Sequence, residues 1–280
     1  MAQITDLFIY PVKSLKGVSL IQSDTARRGL KFDREWMITN SNYKFITQRE
    51  IESMATIEVS IDSEHLILSS KNFTPFKVSL STSKSMPIKA EVWGDICDAY
   101  DEGDDASLWI SKVLGQYNDK PLRLVRFATD GHRPVPSKYL NGLEAESAFS
   151  DQFPYLITSW ESLDRLNKGL KKNGDQEVEM NRFRPNIVIK GLDLIENKTS
   201  HDLSCGKSGY NFGLRKPCKR CKIVTIDQNN GEIDNPKEPL STLTALKFSN
   251  EIRGAFFGQN AILLSTKNTT LKVGDELTLS

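Results

Sequence analysis

The chain has 280 residues, 38% hydrophobic and 26% charged, with 37 Lys and Arg against 36 Asp and Glu. Its length admits two domains or one long β architecture, and its balanced charge excludes the global positive field that recruits nucleic acid polymers or anionic lipid, so any anion preference must be local. Four cysteines, Cys97, Cys205, Cys218 and Cys221, are too few for a disulfide-built secreted scaffold; with no basic-then-apolar signal segment and no apolar run near the roughly 20 residues of a membrane span, a cytoplasmic setting without a membrane span is expected.

In chain order, residues 3–11 read as a strand closing at Pro11. Lys13 and Ser14 follow and read, on their own, as a solvated turn. The alternation in Phe32-Asp33-Arg34-Glu35-Trp36-Met37-Ile38 suggests a strand with Phe32, Arg34 and Trp36 on one face. Arg34 among aromatics fits a guanidinium that meets an anion, and equally one that stacks on Trp36 or pairs with a carboxylate. Short apolar runs at 44–47, 55–59, 65–68, 76–80, 89–93 and 95–100 recur at the spacing of an antiparallel sandwich or barrel. His65 reads as a surface or cross-strand residue. A helix is expected over 105–114, with Leu108, Trp109, Val113 and Leu114 on one side, followed by a strand over 121–127. Residues 128–149 read as an irregular loop in which His132 and Arg133 are solvated or touch a ligand.

A short strand at 154–157 precedes a capping box at 158–161 and a helix whose Trp160, Leu163, Leu166 and Leu170 read as core packing. Arg182-Phe183-Arg184-Pro185-Asn186 sits at the mouth of a buried strand, 187–189, where Pro185 fixes the backbone between a guanidinium and an amide. Strands are expected over 202–214 and 221–227, then a hairpin turn at Asn229-Asn230-Gly231, a short helix through Leu246, and closing strands at 256–264 and 271–277.

The chemically densest stretch is Lys216-Pro217-Cys218-Lys219-Arg220-Cys221-Lys222. Cations around a thiol favour thiolate, the form that attacks electrophiles and binds soft metals. This marks a candidate anionic-cofactor or metal site. A structural zinc built from His201, Cys205, Cys218 and Cys221 is a competing reading. A thioredoxin-like use of Cys-x-x-Cys does not fit, because that motif opens a helix, whereas Cys221 reads as entering a strand.

Six motifs occur in an order that resembles MOSC-domain proteins, in particular the mitochondrial amidoxime reducing component and its bacterial relatives. They are Ile9-Tyr10-Pro11-Val12-Lys13-Ser14, Asp33-Arg34-Glu35-Trp36, Arg182-Phe183-Arg184-Pro185-Asn186-Ile187, Cys218-Lys219-Arg220-Cys221, Lys237-Glu238-Pro239-Leu240 and Phe257-Gly258-Gln259. The resemblance implies a mainly β (α+β) fold, with a MOSC N-terminal β-barrel domain over 1–122 and a MOSC domain, a pyruvate kinase-like β-barrel with a few helices, over 123–280. It implies a molybdenum cofactor (Mo-molybdopterin) held through the thiolate of Cys221, with Cys218 as a neighbour. Lys13, Ser14, Arg34, Arg184, Asn186 and Arg220 would meet the pterin phosphate, and Lys219 and Asn260 would complete the cofactor site. Asp151 is implied near the metal, orienting substrate or a water. The implied activity is reduction of N-hydroxylated substrates such as amidoximes, hydroxamates or N-hydroxylated bases. A separate electron donor is expected, a flavoprotein reductase, flavodoxin or ferredoxin, since no ferredoxin-like domain follows the last strand and no mitochondrial anchor is recognised. Asn260 stands where animal members place a tyrosine. The family also carries an association with pyridoxal phosphate. The alternative is a non-catalytic molybdenum-cofactor or sulfur-carrier module, as in the C-terminal part of molybdenum cofactor sulfurases.

Overall fold

The computed structural model describes residues 1–81, 86–194, 202–247, 253–265 and 269–279. Among these the strands are β1 (Ala2–Ile9), β2 (Val18–Leu20), β3 (Gln22–Ala26), β4 (Gly29–Leu30), β5 (Trp36–Thr39), β6 (Glu58–Ile61), β7 (His65–Ser69), β8 (Phe76–Ser79) and β9 (Met86–Val92). They continue with β10 (Asp95–Asp101), β11 (Arg123–Phe127), β12 (Tyr155–Ser159), β13 (Ile187–Lys190), β14 (Asp202–Cys205), β15 (Tyr210–Lys219), β16 (Phe256–Leu263), β17 (Thr270–Lys272) and β18 (Glu276–Leu279). The helices are α1 (Asp104–Leu114), α2 (Trp160–Lys172) and α3 (Leu240–Ala245). The mainly β expectation holds.

Seven strands close a barrel in the order β13, β12, β16, β15, β14, β18, β1, with β1 returning to β13 and β2 hanging from β1. All neighbours are antiparallel except β12 and β13, because the connection between those two runs through α2, the crossover that a parallel pair requires. The buried run in β13 then divides by face. Ile187 and Ile189 point into the barrel with Ile4, Leu7 and Phe212, while Val188 points outward under Leu163, Leu166 and Leu170 of α2. A strand covered on both sides reads as continuous rather than alternating apolar sequence.

The second body consists of the sheet β5-β11-β10-β9 and the small sheet β6-β7-β8, with α1 packed on the latter's core through Ala106 and Ile110. β17, β3 and β4 form a further small sheet. Sheet membership does not follow a division of the chain at 122/123. β1 belongs to the barrel otherwise made by residues 155–279, and β11 pairs with β5 and β10.

Several local expectations are corrected. Residues 221–227 do not form a strand: after Lys219 the ladder with β16 ends, and Lys222–Thr225 coil into one 3-10 turn. Val224, Thr225 and Ile226 are buried by side-chain packing, Val224 in one cluster with residues of α2, α3, β13 and β16, but without pairing to any strand. Residues 31–34 are a turn, with Phe32 and Arg34 at positive φ, and β5 begins only at Trp36. The cause is Asp33, whose carboxylate accepts the Tyr10 amide at 2.8 Å and draws the segment back over the end of β1. In α1, Leu108 is 56% exposed and Ala106, Ser107 and Ile110 form the buried side. α2 is capped one residue later than expected, by Ser159 accepting from the Ser162 amide, and Trp160 lies outside its buried stripe. The Asn229-Asn230-Gly231 turn closes onto Asp227, with no flanking strands.

Gly258 lies in β16 at φ +79°, and a Cβ there would sit 2.7 Å from Thr158 Cγ2 and 2.9 Å from the Ile157 carbonyl. Gly258→Ala therefore combines left-handed strain with a backbone clash between β16 and β12, and is expected to lower stability by about 2 kcal/mol. A fall in the urea midpoint at constant m-value checks this, and an unchanged midpoint refutes it.

Candidate functional site

β1 ends at Ile9, and the segment Tyr10 to Ser14 leaves that end of the barrel to cross toward the second body. The Lys13 amide donates to Trp36 O, and Ser14 takes a left-handed turn, φ 69°. Lys13 is not solvated. It is 6% exposed, and its Nζ donates to Phe149 O at 2.8 Å and Asp151 Oδ1 at 2.6 Å. Burial pulls the Lys13 amine below its ordinary value and Asp151 opposes that. For Asp151 the surrounding protein pushes the carboxyl up, but Lys13, with Trp93 Nε1 and Arg49, holds it well below the usual carboxylate range. Its side chain is 69% exposed, so the carboxylate is anchored at one end and open to the pocket at the other.

Arg34 grips both oxygens of Asp33 at 2.7 and 2.6 Å and donates to the Arg184 carbonyl at 3.0 Å. Arg184 ends the 3-10 turn Met180–Phe183 in a left-handed conformation, φ 51°, which turns its side chain back toward Tyr10. Its Nη1 meets Gln228 Oε1 at 3.2 Å, while Nη2 is buried with no hydrogen-bond partner. Burial pushes this guanidinium down to about 10, still cationic at neutral pH. Arg220 donates through Nη1 to Cys218 Sγ at 3.0 Å and through Nη2 to Phe183 O at 2.8 Å, leaving a buried, unpartnered Nε. Asn186 is spent mainly on the scaffold: its Oδ1 accepts the Leu156 amide and its Nδ2 donates to Phe8 O, stitching β12 to β1.

All ten residues singled out from the sequence, Lys13, Ser14, Arg34, Asp151, Arg184, Asn186, Lys219, Arg220, Cys221 and Asn260, line one pocket between the barrel end and the second body. Sequence reasoning missed Arg49, whose Nη2 donates to Cys221 Sγ at 3.0 Å. Arg49 is held by a turn in which the Glu50 carboxylate accepts the Thr47 amide and hydroxyl and the Thr47 hydroxyl accepts the Arg49 amide. The Thr-x-x-Glu spacing of a capping box was the available signal. Arg49 also lies 4.6 Å from the Trp93 ring centroid. Arg133 was expected to be solvated or at a ligand, and is neither: it is buried and donates to Asp95, the Ser147 hydroxyl and the carbonyls of Ala148, Ser150 and Asp151, fixing the loop that presents Asp151.

Residues 1–117 match the MOSC N-terminal beta barrel domain model and residues 144–278 the MOSC domain model. Mitochondrial amidoxime reducing component 2 of Rattus norvegicus is 30% identical over 255 residues, covering 87% of this chain and 72% of that protein. The chain belongs to the MOSC-domain family. Within it, mitochondrial amidoxime-reducing component 1 of Homo sapiens is 29% identical over 287 residues, covering 99% of this chain and 82% of that protein. Molybdenum cofactor sulfurase of Bos taurus is 29% identical over 245 residues, covering 82% of this chain and 27% of that protein. None of these names pyridoxal phosphate.

In this MOSC protein the zinc alternative loses its ligands. Cys205 is buried among the barrel's core side chains, apart from the pocket that Cys218 and Cys221 line, and no cluster of three metal-ligating side chains occurs among the described residues. His201 lies outside them. No described helix is long and apolar enough to cross a membrane.

Two outcomes are expected from this geometry. Arg133→Leu strands several buried carbonyls and should cost about 2–4 kcal/mol in denaturant unfolding, with increased proteolysis between residues 147 and 153; wild-type stability would contradict the hub. Asp151 has a depressed carboxyl pKa in the native state, so its stabilising contribution is complete above the unfolded value of about 3.9 and is lost as pH falls through the lower native one. Asp151→Asn should therefore flatten the acid limb of the urea midpoint measured below about pH 4, and coincident acid limbs would refute the pairing.

Proposed function

We propose that this protein is a molybdenum-cofactor-dependent reductase of N-hydroxylated compounds, with Cys221 as the protein ligand of the metal. The single observation that carries the reading is the pairing, in one pocket, of a cysteine sulfur facing a guanidinium with buried cationic nitrogens that have no protein partner. The Cys221 sulfur accepts from Arg49 at 3.0 Å, and the unpartnered donors are Arg184 Nη2 and Arg220 Nε. Buried polar atoms are ordinarily satisfied, so orphaned guanidinium nitrogens mark the place of an anion. A soft thiolate suits a soft metal. The donor set therefore fits a pterin that carries both a phosphate and a thiolate-bound metal, and the name of one relative, molybdenum cofactor sulfurase, points to the same cofactor.

When bound, the molybdenum supplies the two-electron chemistry that breaks an N–O bond. The chain's own groups do the rest. Arg184 and Arg220 would hold the phosphate with their free nitrogens, Arg34 would add its charge while bound to Asp33, and Lys13, with two of its three N–H groups already used, would offer the third. Lys219, Ser14, Asn186 and Asn260 complete the walls. Arg49 holds the Cys221 sulfur in place by a charge-assisted hydrogen bond. Asp151, ionised at neutral pH and open to the pocket, accepts an N–H or O–H of an amidoxime-type substrate and orients it. Overall, the substrate takes up two electrons and two protons, the N–O bond breaks, and amine or amidine and water leave. A separate flavin or iron–sulfur protein delivers the electrons.

Molybdenum analysis with benzamidoxime turnover, using reduced methyl viologen as donor, tests the reading. Wild type should carry molybdenum and turn over, Cys221→Ser should lose the metal and at least about 100-fold of the activity, and Cys218→Ser should keep the metal. Metal content unchanged in Cys221→Ser would sink the assignment. The match to molybdenum cofactor sulfurase supports a second reading, a cofactor- or sulfur-carrier module; molybdenum-loaded wild type that leaves benzamidoxime unreduced would favour it.

A further inference from the structure

Two guanidiniums that are distant in sequence lie over one aromatic ring. The guanidinium carbons of Arg34 and Arg184 are each 4.2 Å from the Tyr10 ring centroid, so the two cations are no farther apart than the sum of those distances. Arg34 is paired with Asp33, but Arg184 meets only the neutral Gln228, so the pair carries surplus positive charge in a buried setting. Repulsion between like charges grows as water is removed. Both lie over the Tyr10 ring, whose π-system attracts cations through its quadrupole. Burial pushes the Tyr10 hydroxyl up to about 12, so the ring stays neutral at working pH.

The ring is itself held in place. The Tyr10 amide donates to Asp33 Oδ1 at 2.8 Å and its carbonyl accepts the Arg34 amide at 2.9 Å, tying it to the segment that carries the first guanidinium. On its edge lies Gly17, where a Cβ would come 2.5 Å from Tyr10 Cε1 and 3.0 Å from Cδ1. Only glycine leaves the ring this room, and a ring in contact with two guanidiniums cannot swing aside without moving them.

We propose that Tyr10, seated by Gly17, is the positioning residue that holds Arg34 and Arg184 as one receptor for a phosphate monoester, with the ring and not the hydroxyl carrying the role. The proposal rests on the reading that the pocket takes a phosphate-bearing pterin. The ring aims the free Arg184 Nη2 and keeps a second cation beside it, the arrangement a doubly charged phosphate requires.

The test compares the whole wild-type chain with Tyr10→Phe, Tyr10→Leu and Gly17→Val. In the first arm, molybdenum and pterin per chain are measured after dialysis at raised ionic strength. Wild type and Tyr10→Phe should retain the cofactor, while Tyr10→Leu and Gly17→Val should retain about tenfold less. In the second arm, thermal shift by inorganic phosphate is recorded on cofactor-free protein. Wild type and Tyr10→Phe should be stabilised, and Tyr10→Leu and Gly17→Val should not. Equal phosphate stabilisation in all four proteins, or full retention by folded Tyr10→Leu or Gly17→Val, overturns the proposal. If Tyr10→Leu fails to fold, Gly17→Val alone decides between these outcomes. A wild type with neither molybdenum nor pterin, but with ring-dependent phosphate stabilisation, would retire the cofactor reading and leave the positioning role standing.

Discussion

The antiparallel pairing of β1 with β13 is the constraint on which the site depends. It sets Leu7 opposite Ile187, so the chain leaving β1 at Tyr10 emerges beside the segment that enters β13 through Arg184 and Asn186. The hydrogen bond from the Phe8 amide to Asn186 O continues that register by one more step, and the Asn186 side chain extends it to β12. Basic residues separated by about 170 positions in the chain thus reach one barrel end without a long flexible arm. A slip of one residue in this ladder would turn Ile187 and Ile189 out of the barrel, so the interior packing enforces the register that assembles the pocket.

The charge distribution around the pocket follows from the same economy. Each cation is partly neutralised by a neighbour chosen for geometry: Lys13 by Asp151, Arg34 by Asp33, Arg220 by a carbonyl and a sulfur. The neutralisation stops short at Arg184 and Arg220, each of which keeps a buried nitrogen without a partner. A fully paired cluster would be a structural core, and a fully unpaired one would repel itself apart. Partial compensation leaves a stable fold with a localised deficit of negative charge in a molecule whose overall charge is close to balance.

Much of this arrangement was legible in the sequence, and the boundary of legibility is physical. Strands buried on alternating or continuous faces carry their periodicity in the chain, so the barrel strands stood out; so did the helix over Leu163, Leu166 and Leu170. The stretch after Cys221 misled because β-branched residues signal burial as strongly as they signal a ladder, and here Val224 is buried by side-chain packing without pairing to any strand. Lys13 read as solvated because its burial depends on Phe149 and Asp151, which the fold brings from far along the chain. Arg49 left only a faint local trace, since its partner Cys221 lies 172 residues away, and the strained conformations of Phe32 and Arg34 are imposed by Asp33 gripping a backbone amide in another segment. Resemblance to a family supplied the pocket residues where periodicity could not.

Because β1 pairs with both β13 and β18, a strand that leaves the ribosome early waits for one that leaves it late: Gln3 stands opposite Glu276 as well as Lys190. The entropic penalty of closing so long a loop is met only when both barrel ends of the polypeptide are available. Barrel closure is therefore a late event in the life of the nascent chain. Any prosthetic group lodged at the mouth of this barrel must therefore meet a chain in which β18 has already been made.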